Sequence, residues 1–301
     1  MQATPIGASE QASPDAGVRP EELARQLAQI YTIDKRPKHK ASLLRHLQNW
    51  ETTLRAAYAV FRGESSKDLA FSRAGEWLLD NFYVVEQTLR LVEEDLPEEY
   101  YGELPKLEST ALKGYPRIFA LAWEWVGYHQ DQIDLTQTIA FVQEYQQIMP
   151  LTIGELWALP NMLRIGLLER LACAAAELTG MEAPKSLSEI PSRFASPALA
   201  NEIIVANCIL SLRLLSATDW EIFFEQTSRV EQILCEDPAG IHAKMDFGTR
   251  NSYRNVIEEL ARHSKFSEEQ VARMAVEFAS SAAVETSGRK GHVGYYLRDA
   301  G

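Results

Sequence analysis

The sequence is poor in the residues that carry most protein chemistry. Its 301 residues include three cysteines and six histidines. Cys173, Cys208 and Cys235 are widely spaced, odd in number and set in apolar helical contexts. That argues against a disulfide framework and predicts buried free thiols, in keeping with a reducing compartment. His39, His46, His129, His242, His263 and His292 show neither HExxH spacing nor a nearby cysteine pair, so no metal site is expected. A phosphate-cradling P-loop and a GxSxG nucleophile elbow are both missing, and no cofactor is expected. Positive charge is scarce too. The 30 Lys and Arg against 42 Asp and Glu leave a net charge of −12. A nucleic-acid partner needs a concentrated basic face, and an anionic membrane surface repels an acidic chain. The best apolar run, Ile203 to Leu215, falls short of the roughly 20 residues that a membrane span needs and contains Arg213. The N-terminus has no basic-then-apolar signal-peptide pattern. No stretch alternates apolar and polar residues as a half-buried strand does.

What is present is helical periodicity. A hydrophobic share of 46% is enough to build a core, and the length suits one large or two ordinary domains. The clearest pattern is Leu78, Phe82, Val85, Leu89, Val92 and Leu96, whose steps of four and three mark one helix face. Arg73, Glu76, Asp80, Tyr83 and Gln87 form a polar stripe on the same segment. Asp134 with Gln137, Thr152 with Glu155, Thr218 with Glu221 and Ser267 with Gln270 have capping-box spacing. In such a box a side-chain oxygen satisfies a free helix-start N–H and the fourth residue reaches back. Pro20 suits a first helical position, Gly63 ends a helix begun near Lys40, and Tyr115-Pro116 opens another. Pro160 predicts a kink or break in the helix begun at Thr152.

The expected fold is all-α, a multi-helix array of antiparallel hairpins with short connections. Residues 1–18 read as a disordered tail, 19–180 as a first helical subdomain and 181–197 as a linker. Residues 198–283 read as a second subdomain, with helices over Asn201 to Leu215, Asp219 to Cys235, Thr249 to His263 and Ser267 to Ala279. Residues 284–301 read as a tail, extended or disordered from Ser287 onward, with the aromatic stretch His292 to Leu297 expected either to fold back onto the helices or to be an element orphaned from a partner domain.

Few constellations suggest chemistry. Asp246-Phe247-Gly248 matches the metal-binding tripeptide of protein kinases, but the other kinase motifs are missing, so it reads as a helix entry. Asp246, Arg250 and Arg254 follow at steps of four and predict an ion-pair ladder on one helix face. Glu93, Glu94, Glu98, Glu99 and Glu103 read as a solvated acidic surface. Trp77, Trp123, Trp125 and Trp157, with Tyr100, Tyr101 and Tyr115, read as core, the alternative being the floor of a sugar groove.

Longer words in the sequence carry more. They are Glu76-Trp77-Leu78-Leu79-Asp80-Asn81-Phe82, the stretch Asp95 to Leu107, Gly114-Tyr115-Pro116-Arg117 and the stretch Pro150 to Pro160. Glu236-Asp237-Pro238-Ala239-Gly240, Met245-Asp246-Phe247 and His292-Val293-Gly294-Tyr295-Tyr296-Leu297 complete the series. Taken in order, from about Leu69 to Leu297, they resemble the N-terminal region of the cyclic β-1,2-glucan synthases. The resemblance implies a large bacterial inner-membrane parent that takes glucose from UDP-glucose, builds a protein-linked β-1,2-glucan and cyclises it. The catalytic and membrane domains of that family lie downstream of this region. The chain lacks the Gln-x-x-Arg-Trp word of a processive glycosyltransferase and stops at Gly301, before any span. No catalytic residue is therefore carried over. A fragment and a short relative both remain open.

The resemblance thus implies a non-catalytic helical region on the cytoplasmic side, whose partners are the downstream catalytic and membrane domains of the same polypeptide. The competing expectations are a helical carbohydrate-active enzyme with its own carboxylate pair and a free-standing interaction scaffold. Asp80, Arg117, Glu155, Arg164, Asp246, Arg250 and Arg254 are the residues expected to form structural ion pairs or docking contacts.

Overall fold

Apolar stripes and capping residues place the helices. The computed structural model describes residues 19–34, 41–63, 73–184, 199–285 and 289–298. The expected tail 1–18 and most of the expected linker 181–197 lie outside the described residues. The fold is all-α. The first half holds α1 (Pro20–Ile30), α2 (Leu43–Gly63), α3 (Arg73–Asp95), α4 (Glu98–Glu103), α5 (Arg117–Tyr128), α6 (Leu135–Gln146) and α7 (Ile153–Leu178). The second holds α8 (Asn201–Ala217), α9 (Trp220–Thr227), α10 (Arg229–Leu234), α11 (Phe247–Arg262), α12 (Glu268–Glu285) and α13 (Val293–Arg298). One short antiparallel ladder joins β1 (Ile33–Asp34) to β2 (Lys106–Leu107), with Ile33 opposite Leu107. No single helix among the described residues is long and apolar enough to cross a membrane.

The α3 stripe behaves as its period demands. Leu78, Phe82, Val85, Leu89, Val92 and Leu96 are all buried, and Arg73, Glu76, Asp80, Tyr83 and Gln87 are exposed. α7 is the central helix, packed against α2, α3, α5, α8 and α9. α8 crosses back over α3 as well as α7, and α1 lies on α6. Packing therefore joins helices distant in sequence more often than neighbours.

Three of the four expected boxes form caps at the expected residue. Thr152 and Glu155 make the full reciprocal box that starts α7. Ser267 Oγ accepts from the Gln270 N–H at 3.2 Å, and Gln270 Oε1 accepts from the Ser267 N–H at 2.9 Å. Asp134 accepts from the Gln137 N–H at 2.9 Å. Thr218 departs from expectation: its hydroxyl turns back to the Leu214 carbonyl at 2.8 Å. Asp219 caps α9 in its place, because a carboxylate is the better acceptor for helix-start N–H groups.

Other expectations are corrected. The Asp219–Cys235 helix is two helices, interrupted at Ser228, whose extended backbone and hydroxyl cap restart the chain as α10. Pro160 does not break α7, which runs unbroken from Ile153 to Leu178 with 20 of its 26 residues buried. The lost backbone bond costs about 3 kcal/mol, and burying one or two large apolar side chains offsets that. Cys208 is buried and Cys173 half-buried, but Cys235 is exposed because it caps the C-terminal end of short α10, where the chain turns outward. Arg289–Gly291 forms a 3-10 turn and Val293–Arg298 a helix, so the end of the chain folds back onto the helices and is not extended. Their anchor is distant in sequence: the buried Val293 donates its N–H to Asp237 Oδ1 at 3.1 Å, and α13 packs on α11 and α12.

Candidate functional site

Two buried ionic clusters frame one open groove. The first cluster joins the start of α5 to the start of α7. Arg117 Nε donates to Glu155 Oε1 at 2.8 Å, while Nη2 donates to Glu155 Oε2 and to the Pro150 carbonyl at 2.9 Å. Both side chains are essentially without solvent contact, at 1% and 0% exposure. Burial pulls the Arg117 pKa down, but the facing Glu155 carboxylate outweighs it and leaves it raised, so the guanidinium stays charged.

The second cluster centres on Glu231 of α10. It accepts from Arg250 Nη1 and Arg254 Nη1, each at 2.9 Å, and faces His242 Nε2 at 3.2 Å. Arg250 also pairs with Glu225. Burial pushes the Glu231 carboxyl up, but His242, Arg254 and Arg250 together hold it at about 2. The Arg254 guanidinium lies between the Phe224 and Phe247 rings, at 4.8 and 4.6 Å. Glu231, Cys235 and His242 bring ligand-type atoms within 4.8 Å of one another. Two guanidiniums already occupy that carboxylate, which places positive charge where a metal would sit.

The Asp246–Arg250–Arg254 ladder does not form. Asp246 is the N-cap of α11, accepting from the Thr249 N–H at 2.9 Å and the Thr249 hydroxyl at 2.6 Å. Those bonds hold its pKa below the usual carboxylate value. Both arginines turn instead to Glu231, on another helix. Asp80 is exposed on α3, far in chemistry from either cluster. Arg164 is 5% exposed and donates to two neutral oxygens, Asn161 Oδ1 at 2.7 Å and the Leu215 carbonyl at 3.2 Å. Burial lowers its pKa.

The groove runs between α7 and α11. Gly154, Trp157, Asn161 and Arg164 line it from α7, and Asn251, Asn255, Glu258 and Arg262 from α11. Steps of three and four put each set on one helix face. Asp95, Tyr100, Glu103 and Trp220 complete the rim of a hollow of about 700 Å³. A second hollow of about 470 Å³, reaching Leu151, Phe266 and Glu268, shares Tyr100, Gly154, Glu258 and Arg262 with it. The two adjoin across these shared side chains and together make up a furrow, each part of the size that holds small ligands. Tyr100 fixes one wall by donating to the Gly154 carbonyl at 2.6 Å. Arg262 reaches Glu103 at 3.0 Å and Glu258 at 3.3 Å. Trp157 stacks on Phe224, centroids 4.5 Å apart, which ties this wall to the Glu231 cluster through Arg254. Trp220 donates its indole N–H to the Leu215 carbonyl at 3.0 Å, the oxygen that Arg164 also uses.

The aromatic residues therefore divide. Trp123, Trp125 and Tyr101 are core, while Trp157 and Tyr100 border the furrow. At its far end Glu268 accepts from the Ile153 N–H at 2.7 Å. Burial, with a lesser push from Glu258 and Glu155, lifts the Glu268 carboxyl to about 7 against the pull of that N–H. Sequence reasoning singled out Trp157, Tyr100, Glu103 and Arg164 but missed Asn161, Trp220, Asn251, Asn255, Glu258 and Glu268. The available signal was Asn161 and Arg164, two polar residues three apart on the largely apolar α7.

Comparison with known proteins agrees with the resemblance read from the sequence words. The chain is similar to the cyclic beta-(1,2)-glucan synthase NdvB of Rhizobium meliloti (strain 1021), with 30% identity over 325 aligned residues. The alignment covers 84% of this chain and 11% of that synthase, so the chain spans about a tenth of its relative's length. No protein-family model matches the chain.

Proposed function

We propose that this chain is the N-terminal helical region of a cyclic β-1,2-glucan synthase-like glucosyltransferase. In this reading it transfers no glucose itself. It supports synthesis by packing against the catalytic and membrane domains of its parent, on the cytoplasmic face of the inner membrane. The observation that carries the reading is the 30% identity to a glucan synthase across 84% of the chain. The surface offers a place to pack. Ile203, Leu210 and Leu214 lie on one exposed face of α8, between 36% and 52% exposed, opposite the face that packs on α7 and α3. Such a stripe gains by leaving water. Incubating the purified chain with UDP-glucose tests the reading: no glucan should form. In the full-length parent, Leu210→Glu should lower glucan output while leaving the isolated region folded. Glucan made by the isolated chain would refute the non-catalytic assignment.

One observation favours a second reading, a helical glycoside-active enzyme. Glu268 has the raised pKa of a general acid and shares the furrow with the Glu258 carboxylate. Against it, Glu268 already serves as acceptor for the first N–H of α7. Hydrolysis of β-1,2-glucan by the purified chain, abolished by Glu268→Gln, would establish the enzyme and displace the first reading.

A further inference from the structure

We propose that the furrow between α7 and α11 is a binding site for a neutral oligosaccharide. The protein leaves hydrogen-bonding groups beside the furrow unused. Arg164 is 95% buried (5% exposed), borders the furrow, and has no partner for its Nε. The Oδ1 of Asn251, on the opposite wall, has none either. Both atoms lie covered just behind the lining; unmade bonds at buried polar atoms are costly, and a small side-chain turn that brings a donor to one wall and an acceptor to the other suits a ligand that both accepts and donates. Hydroxyl groups do both.

Charge narrows the class. Asp95, Glu103 and Glu258 set three carboxylates on the rim against the guanidiniums of Arg164 and Arg262. Arg262 is already bridged to Glu103 and Glu258. A phosphate or a nucleotide sugar would meet net repulsion, whereas carboxylates, amides and a guanidinium all bond neutral vicinal hydroxyls. Trp157 and Trp220 are half-buried and add ring surface against which the C–H face of a pyranose packs. The shape narrows it further. Two joined hollows of about 700 and 470 Å³ favour a short chain of sugar units over a single one. The preference for a neutral oligosaccharide rests on the furrow alone. Only the expectation of a β-1,2 linkage rests on the proposed parentage.

Calorimetric titration of the full chain tests the site, using glucose oligosaccharides linked β-1,2, β-1,4 and α-1,4, with UDP-glucose alongside. Saturable binding of at least one oligosaccharide is expected, with UDP-glucose weaker than all that bind. Asn255 is exposed, so Asn255→Ala should keep the wild-type melting temperature and weaken binding about tenfold, the loss of one good hydrogen bond. Trp220→Leu should weaken it at least as much. No saturable binding in the series, or binding untouched by both substitutions, overturns the site. So does UDP-glucose binding more tightly than every oligosaccharide. Binding of a β-1,4- or α-1,4-linked chain but not the β-1,2-linked one upholds the site and counts against the parentage, so the two failures are distinguishable.

Discussion

Replacing Glu155 with glutamine isolates what the Arg117–Glu155 pair contributes. Glu155 does two jobs: it bonds the Arg117 guanidinium through both oxygens, and it accepts from the Thr152 N–H at 3.0 Å to close the α7 capping box. Glutamine keeps an amide oxygen for the cap but removes the charge, leaving Arg117 at 1% exposure without its counter-ion. The Pro150 carbonyl at 2.9 Å remains as a neutral acceptor and does not replace a carboxylate. Removing one partner of a buried pair costs about 3–5 kcal/mol. For a chain of this size, that lowers the melting temperature by roughly 6–20 °C. Urea unfolding followed by far-UV circular dichroism measures it, with Arg117→Met and the Arg117→Met/Glu155→Gln double variant completing the cycle. The double variant removes both charges at once and should be more stable than the sum of the single losses by at least about 2 kcal/mol. A Glu155→Gln loss below about 1 kcal/mol, or strict additivity in the cycle, would show that the pair does not couple α5 to α7.

Three further outcomes are expected. Leu89→Ala, at a site 3% exposed in the middle of the α3 stripe, should cost about 2–5 kcal/mol by calorimetry. Glu231→Gln should destabilise by about 3–5 kcal/mol, because it leaves both Arg250 and Arg254 short of their shared carboxylate; a neutral thermal shift would contradict that. Stability should respond to pH through two carboxyls of opposite sign. Glu231 is held at about 2 when folded against an ordinary 4.5, so its contribution is full above 4.5 and is lost as pH falls toward 2. Glu268 sits at about 7 when folded, so the folded state holds the extra proton and its contribution shrinks as pH rises from 4.5 to 7. Glu268→Gln should flatten urea-midpoint curves across that upper window and leave the acid limb unchanged.

Local chemistry was legible in the sequence and long-range geometry was not. The α3 stripe could be read because burial on one helix face imposes a period on six residues of one segment. Caps could be read at Asp134, Thr152 and Ser267 because donor and acceptor lie three residues apart. Thr218 failed because its neighbour Asp219 competes for the same N–H groups, a contest that spacing alone cannot decide. The break allowed for at Pro160 does not occur, for the opposite reason. The local penalty was read correctly, but α7 is buried on nearly every side, and that burial is a property of five other helices.

The ionic residues show the same division more sharply. Arg250 and Arg254 were placed on one face of α11 by their spacing, and they do share a partner, but the partner is Glu231, 19 and 23 residues away on α10. Asp246 had the right spacing to join them. It stands at the helix start, where the N–H of Thr249 is closer and needs an acceptor. The furrow lies at the far end of this scale, since it assembles Asp95, Trp157, Trp220 and Glu258 from four helices or their ends. On α11 the polar residues Asn251, Asn255, Glu258 and Arg262 recur at steps of three and four, and on α7 Asn161 and Arg164 lie three apart. A polar stripe alone reads as a solvated face, because water satisfies it at no cost. It becomes a site when a second stripe faces it across a gap and buried groups such as Arg164 Nε are left without partners. That condition lies in how α7 and α11 stand relative to each other, which is fixed by the apolar sides of both helices and by the Trp157–Phe224–Arg254 stack between them. Recognition groups and the packing that aims them are thus written on opposite faces of the same helices.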